Sequence, residues 1–132
     1  IFSERCGVKL TGERLLKRQG HWQKVAISAL EQSGRADFVR ILPAVALTDW
    51  ARSVPATLKL VCAPQSVKAC PWPESIKDAA LAVGPEGGFS DDELACFEQH
   101  GFLRWQIGPR VLRTETAPVA ALALLQLRYG DF

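Results

Sequence analysis

The chain has 132 residues, enough for one domain around a single sizeable core and too few for two. Sixteen Lys and Arg against fourteen Asp and Glu leave a net charge of +2, which by itself argues for no polyanionic partner. Cys6, Cys62, Cys70 and Cys96 form no CxxC pair and no histidine stands at ligand spacing, so neither a zinc site nor a redox motif is supported, and reduced thiols in a cytoplasmic protein are expected.

Ile1 to Leu10 predicts an opening strand. Trp22, Val25, Ala26, Ala29, Leu30 and Ser33 then draw one apolar stripe down a helix that ends at Gly34. A short strand is expected over Phe38 to Leu42, a helix over Leu47 to Ser53 and a strand over Leu58 to Cys62, followed by a loop through Pro64, Pro71 and Pro73. Ala79 to Val83 predicts a buried strand, Ser90 to His100 a helix, Leu103 to Ile107 a strand and Thr114 to Tyr129 the last helix. Alternating strands and helices argue an α/β domain with a mostly parallel sheet flanked by helices. The longest apolar stretch, Ala117 to Leu127, is interrupted by Pro118 and Gln126 and falls short of the roughly 20 residues that a membrane span requires. The chain carries no secretory signal or methionine, and it opens in an expected strand, so it reads as the back part of a longer protein. Charge is uneven: residues 1 to 40 hold eight basic and four acidic side chains, residues 41 to 132 eight and ten, which hints at nucleic acid on one face.

Two turns carry the chemistry. In VGPEGGFSDDE, residues 83 to 93, Ser90 and Glu93 stand at capping-box spacing, and Phe89 can staple against Leu94. Ser90, Asp91, Asp92 and Glu93 already satisfy the positive end of that helix, so a phosphate is disfavoured there. The turn has neither the Lys and Ser/Thr of a P-loop nor the spacing of a dinucleotide fingerprint. Gly87 and Gly88 permit close backbone approach and Glu86 supplies a counter-charge, which suits a neutral or cationic small molecule. In WQIGPRVLRTETA, residues 105 to 117, the plan repeats: an apolar strand, Gly-Pro, a turn, and a helix with Thr114 as the expected N-cap. Together with CAPQS after the Leu58 to Cys62 strand, these turns end at the carboxyl edge of a parallel sheet, where ligands bind.

VGPEGGFS and IGPRVLRTETA, preceded by HWQKVAISALEQSGR, resemble the RsmE-type ribosomal RNA methyltransferases of the knotted SPOUT superfamily over nearly the whole chain. The resemblance implies a C-terminal trefoil knot and a homodimer that uses S-adenosylmethionine to methylate N3 of a uridine in 16S ribosomal RNA of the small ribosomal subunit. It implies a SPOUT methyltransferase domain over residues 1 to 132, with the family's N-terminal PUA-like RNA-binding domain outside this chain, and no metal and no membrane partner. The cofactor loops carried over contain Leu60 and Cys62 in the first, Val83, Gly84, Pro85, Glu86 and Gly88 in the second, and Ile107, Gly108, Val111 and Leu112 in the third. The first loop, VCAPQ, departs from the family, which has a more polar residue near Ala63. EQSGR matches the family's segment, and the resemblance implies Gln32, Ser33 and Arg35 near the target base or the dimer partner; read locally, it is a Gly-terminated helix end with a basic residue beyond it.

Uridine N3–H is a weak acid, and each pKa unit above ambient pH costs about 1.4 kcal/mol to ionise. Arg113 is the first candidate to stabilise the anion, with a salt bridge to Glu115 or Glu86 as its ordinary reading. Glu115 reads as base, as orienter of Arg113, or as an ordinary acid in a helix's first turn, and Thr116 stands beside them as a candidate substrate contact. Trp22 reads as packing, His21 as a solvated helix residue and His100 as a helix C-terminus. Two rivals remain: a knotted methyltransferase for another RNA base, and a non-catalytic RNA-binding or dimerisation module of the same fold.

Overall fold

The structure, a computed structural model, describes residues 1–7, 11–64 and 72–130. It divides into two compact units, one of Val8–Ala44 and one of Ile1–Gly7 with Val45–Phe132.

The first unit is a helix, α1 (Gly12–Ser33), with a return segment beside it. The helix starts ten residues before the apolar stripe, because GERLLKRQGH is helical without needing a core. It ends as expected at Gly34, whose φ of 69° accepts the left-handed cap. None of its residues is buried, so the stripe containing Trp22 is a half-exposed face, and the packing role expected for it is corrected. The strand expected over Phe38 to Leu42 is also absent. The Gln23 amide supplies the pairing instead: Nε2 donates to the Val39 carbonyl at 2.8 Å and Oε1 accepts from the Ile41 N–H at 2.8 Å. Gln19 donates to the Ile41 carbonyl at 3.0 Å. A side-chain amide therefore stands where a neighbouring strand would be.

The second unit is a mixed α/β layer. After α2 (Leu47–Ser53) come β1 (Leu58–Cys62), β2 (Ala79–Ala82), α3 (Asp91–Gln99), β3 (Leu103–Trp105) and α4 (Thr116–Tyr129). Among the described residues the sheet has three strands in the order β2-β1-β3, all parallel. Central β1 is covered on both faces, which explains its continuous apolar run LKLVC. Val61 and Ala63 join Ala51, Phe89, Phe97 and Phe102 in one core cluster, while Leu58 and Leu60 join Trp105, Ala121 and Leu125 in the other. The capping box forms as expected, with the Ser90 Oγ accepting from the Glu93 N–H and Glu93 accepting from the Ser90 N–H.

Two expectations at the ends of this unit are revised. Residues 1 to 7 make a single bridge, Phe2 to Ala46, and then turn at Glu4 and Arg5; residues 8 to 10 of the expected strand lie outside the described residues. Thr114 does not cap α4. The Arg113 carbonyl accepts from both Thr116 and Ala117 at 2.9 Å, so the helix starts two residues later with Glu115 at the cap position. Pro118 sits in the first turn, where its missing N–H leaves no bond unmade. Among the described residues no helix is long and apolar enough to cross a membrane, and no group of His, Cys, Asp and Glu is arranged to hold a metal ion.

Candidate active site

A cavity of about 640 Å³ opens in the second unit where β1, β2 and β3 end. The strand order explains its position. The chain leaves β1 for one edge of the sheet at β2 and then crosses to the other edge at β3, so the loops beyond the strand ends diverge and leave a crevice. The Ala63 N–H donates to the Trp105 carbonyl at 3.2 Å, which continues the β1–β3 ladder to the floor of the cavity.

Three loops meet there. The first contributes Cys62, Ala63 and Pro64; Gln65 and Ser66 of CAPQS lie outside the described residues. The second contributes Val83 to Gly88 and the third Trp105 to Ile107 with Arg110 to Glu115, joined by Ala117 from α4. Of the cofactor loops expected from sequence, Cys62, Val83, Gly84, Pro85, Glu86, Gly88, Ile107, Val111 and Leu112 all line this one cavity. So do Arg113 and Glu115. Leu60, Gly108 and Thr116 stand outside the lining. Leu60 is fully buried because its position in the pleat turns it into the core below. Gln32, Ser33 and Arg35 belong to the other unit, at the end of α1, where Arg35 pairs with Asp37 at 3.8 Å. Trp105, Gln106, Arg110 and Thr114 line the cavity without having been singled out for it. The signal for Trp105 and Gln106 was available, since the last residues of a parallel strand face the ligand edge.

The loops are shaped by their glycines in different ways. A Cβ on Gly84 would stand 3.3 Å from the Gly88 backbone and from the Phe89 ring, so the loop folds back closely on this glycine. Gly88 and Gly108 hold φ of 67° and 71°, where any other L-residue is strained.

Electrostatically the cavity is mixed. Glu86 and Glu115 bring carboxylates, Arg110 and Arg113 guanidinium groups. The Arg113 Nη1 lies 4.0 Å from the Glu115 Oε1, a loose pair with both side chains largely in solvent. Such a pair is worth no more than about 1 kcal/mol and leaves Arg113 free to turn toward a ligand. Burial pushes the Cys62 thiol up to about 11, so it is neutral at physiological pH and offers the cavity no nucleophile.

A family model for the RNA methyltransferase domain matches residues 1–126, and the chain belongs to that family. It is 35% identical, over 99% of its length, to ribosomal RNA small subunit methyltransferase E of Buchnera aphidicola from Schizaphis graminum. The Aquifex aeolicus protein of the same name is 34% identical over 95% of the chain. The chain spans about half the length of these relatives, 54% in both cases. A putative methyltransferase from Legionella pneumophila, solved with bound SAM, superposes with a TM-score of 0.93 at 42% identity over 98% of this chain and 54% of its own. The small subunit methyltransferase E of Neisseria gonorrhoeae, bound to S-adenosyl methionine, superposes with a TM-score of 0.88 at 37% identity, again over 98% of this chain and 54% of that one.

Proposed function

We propose that this chain is the catalytic domain of an S-adenosylmethionine-dependent enzyme that methylates N3 of a uridine in 16S ribosomal RNA. One observation carries the reading: three loops, the second and third of which resemble the family's by sequence, converge on a single cavity that also holds Arg113 and Glu115. The names of the relatives supply the substrate class, and the two SAM-bound neighbours supply the cofactor.

The lining suits that cofactor. The cavity is within the size range of small-molecule sites. Val83, Ile107, Leu112 and Ala117 offer apolar surface for an adenine ring, and the Gly84 to Gly88 backbone offers close approach to a ribose. Glu86 supplies a carboxylate for a cationic ligand, and α3 begins with Asp91, Asp92 and Glu93, which disfavours phosphate. When bound, S-adenosylmethionine supplies a methyl group made electrophilic by the adjacent sulfonium.

The protein's own residues handle the uridine. The Arg113 guanidinium favours the N3 anion and holds a carbonyl oxygen of the base with its planar fork. Glu115, in a loose pair with Arg113 at 4.0 Å, is a carboxylate of the cavity able to accept the N3 proton. Cys62 stays a neutral thiol and takes no covalent part.

RNA is matched by the outer face of α1. Arg14, Lys17, Arg18, His21 and Lys24 follow at helical spacing on the side turned away from Gln19 and Gln23, and all are exposed. A homodimer is supported by α4, which buries Ala117, Ala121 and Leu125 while Val119, Leu122 and Leu127 stay exposed on its other side. We extend the reading to a trefoil knot threaded by the cofactor loops, to a PUA-like domain preceding residue 1 in the whole protein, to Gln32, Ser33, Arg35 and Thr116 as RNA contacts, and to a cytoplasmic site of action. Calorimetry is expected to show binding of S-adenosylmethionine and none of NAD or ATP. Nucleoside analysis of 16S RNA treated with the whole protein is expected to yield N3-methyluridine. Tight ATP binding with no response to S-adenosylmethionine would sink the methyltransferase reading.

A further inference from the structure

Glu93 is the buried charged side chain of the described residues, and a buried carboxylate needs partners for both oxygens. One partner is local: Oε2 accepts from the Ser90 N–H at 2.8 Å, within the capping box. The other comes from 89 residues away, where the Glu4 N–H donates to Oε1 at 2.8 Å. The next residue reaches the glycine-rich loop itself. Arg5 Nη1 donates to the Gly87 carbonyl at 2.9 Å, and a Cβ on Gly87 would stand 3.3 Å from the Arg5 Cβ. The far end of this short segment is pinned as well, by the Phe2 N–H donating to the Val45 carbonyl at 2.9 Å. A segment that forms no strand is thus fixed at three points, two of them on or beside the loop that lines the cavity.

We infer that Ser3 to Cys6 is a brace for the glycine-rich loop, with Glu4 and Arg5 as positioning residues that set the shape of Pro85 to Gly88 before a ligand arrives. The inference rests on the reading of the cavity as the S-adenosylmethionine site. Its physical basis is entropic. Gly87 and Gly88 have the widest backbone freedom in the chain's repertoire, and inside the turn they are tied by the Gly88 N–H donating to the Pro85 carbonyl at 2.8 Å. A loop left that loose must be ordered at the moment of binding, which lowers affinity; a loop ordered beforehand avoids that loss. Neither Glu4 nor Arg5 lines the cavity, so both act through Gly87 and Glu93.

The test uses this chain with Arg5→Ala, Arg5→Lys and Glu93→Gln. Glutamine is an informative replacement because it presents one acceptor where two N–H donors converge, and its NH₂ would face a donor. Arg5→Ala is expected to raise the Kd for S-adenosylmethionine by about three- to tenfold. Arg5→Lys is expected to recover part of that loss, and Glu93→Gln to exceed it. In the ligand-free protein, the Gly88 amide is expected to exchange its hydrogen faster in Arg5→Ala by a similar factor. Unchanged Gly88 protection and unchanged Kd in Arg5→Ala would overturn the brace, including where the melting temperature falls. If the parent chain does not bind S-adenosylmethionine, the cofactor reading fails by itself, and Gly88 exchange alone then decides the brace: faster in Arg5→Ala supports it, unchanged overturns it.

Discussion

The two units of this chain hold themselves together by different means. In the α/β unit, Phe97 and Phe102 are fully buried between α2, α3 and the sheet, and their rings meet at 4.8 Å. In the α1 unit no described residue is buried, and the return segment is fixed by glutamine side chains. The α/β unit has a packed interior able to keep cavity walls in place; the α1 unit has a long helix and a set of directional bonds. The lesson is that precision and display are divided. The cavity lies wholly in the cored unit, whereas the coreless unit offers basic and apolar residues to solvent. On the 22-residue α1 the apolar stripe stays half-exposed, with Trp22 at 41% and Val25 at 54%.

The largest expected effect sharpens that contrast. Phe97→Ala removes a ring that touches Trp50, Phe89 and Phe102, and it should destabilise the fold by about 3–5 kcal/mol. Trp22→Ala, although it deletes a larger side chain, should cost less, because that residue is 41% exposed and belongs to neither core cluster. Urea unfolding of the two variants decides the matter. Equal losses would mean that α1 has a core of its own, and the contrast would be broken.

Within the cored unit, chemistry should separate from stability. Arg113→Ala should lower kcat by about a hundredfold, with cofactor affinity nearly intact and no change in unfolding midpoint, since its side chain is 86% exposed. Lysine keeps the charge without the planar fork, so Arg113→Lys should recover part of the rate. The measurement needs the whole protein and its RNA substrate. A rise in KM for RNA with kcat unchanged would make Arg113 a phosphate-positioning residue instead, and would leave Glu115 or the Glu31 to Arg35 segment to handle the uridine at N3.

The coreless unit should show the opposite pattern. Replacing Arg14, Lys17 and Lys24 together by Gln should leave the cofactor Kd unchanged and weaken RNA binding. For contacts to single-stranded RNA the salt slope should fall by about two, at roughly 0.7 per phosphate. An unchanged slope would remove the basic face of α1 from the RNA interface. Gln23→Ala deletes two hydrogen bonds and should speed amide exchange at Ile41 by about tenfold while β1 amides keep their protection.

Where sequence and structure agree, a local rule carried the whole information. Ser90 and Glu93 name the start of α3, Gly34 names the end of α1, and LKLVC can only be a strand covered on both faces. Two of the three cavity loops were legible for the same reason, since Gly84-Pro85 and Gly108-Pro109 each follow an apolar strand in a parallel sheet. Misreadings fall where another group substitutes for the expected partner. Phe38 to Leu42 has the composition of a strand, yet its partner is a glutamine amide on α1. Thr114 has the composition of an N-cap, yet the Arg113 carbonyl begins the bonding of α4. Glu4 and Arg5 carry no motif, and their partners Glu93 and Gly87 stand more than eighty residues away. No periodicity encodes that pairing.

The smallest effect concerns Cys62, the end of the central strand and the floor of the cavity. Desolvation raises its folded-state pKa from 9.0 to about 11, so the unfolded chain loses that proton first as the pH rises. The contribution is therefore fully present below pH 9 and is lost between 9 and about 11; the slope of stability with pH is negative across that window and flat below it. Cys62→Ala removes the titrating group and should flatten the part of the alkaline slope due to it, which parallel urea titrations at pH 8, 9.5 and 10.5 would measure. The α1 unit holds no buried thiol, so helix content measured over the same range should follow the global transition and add no alkaline step of its own. A slope that persists unchanged in Cys62→Ala would mean that this half-buried thiol of the cavity lining is not the group behind it.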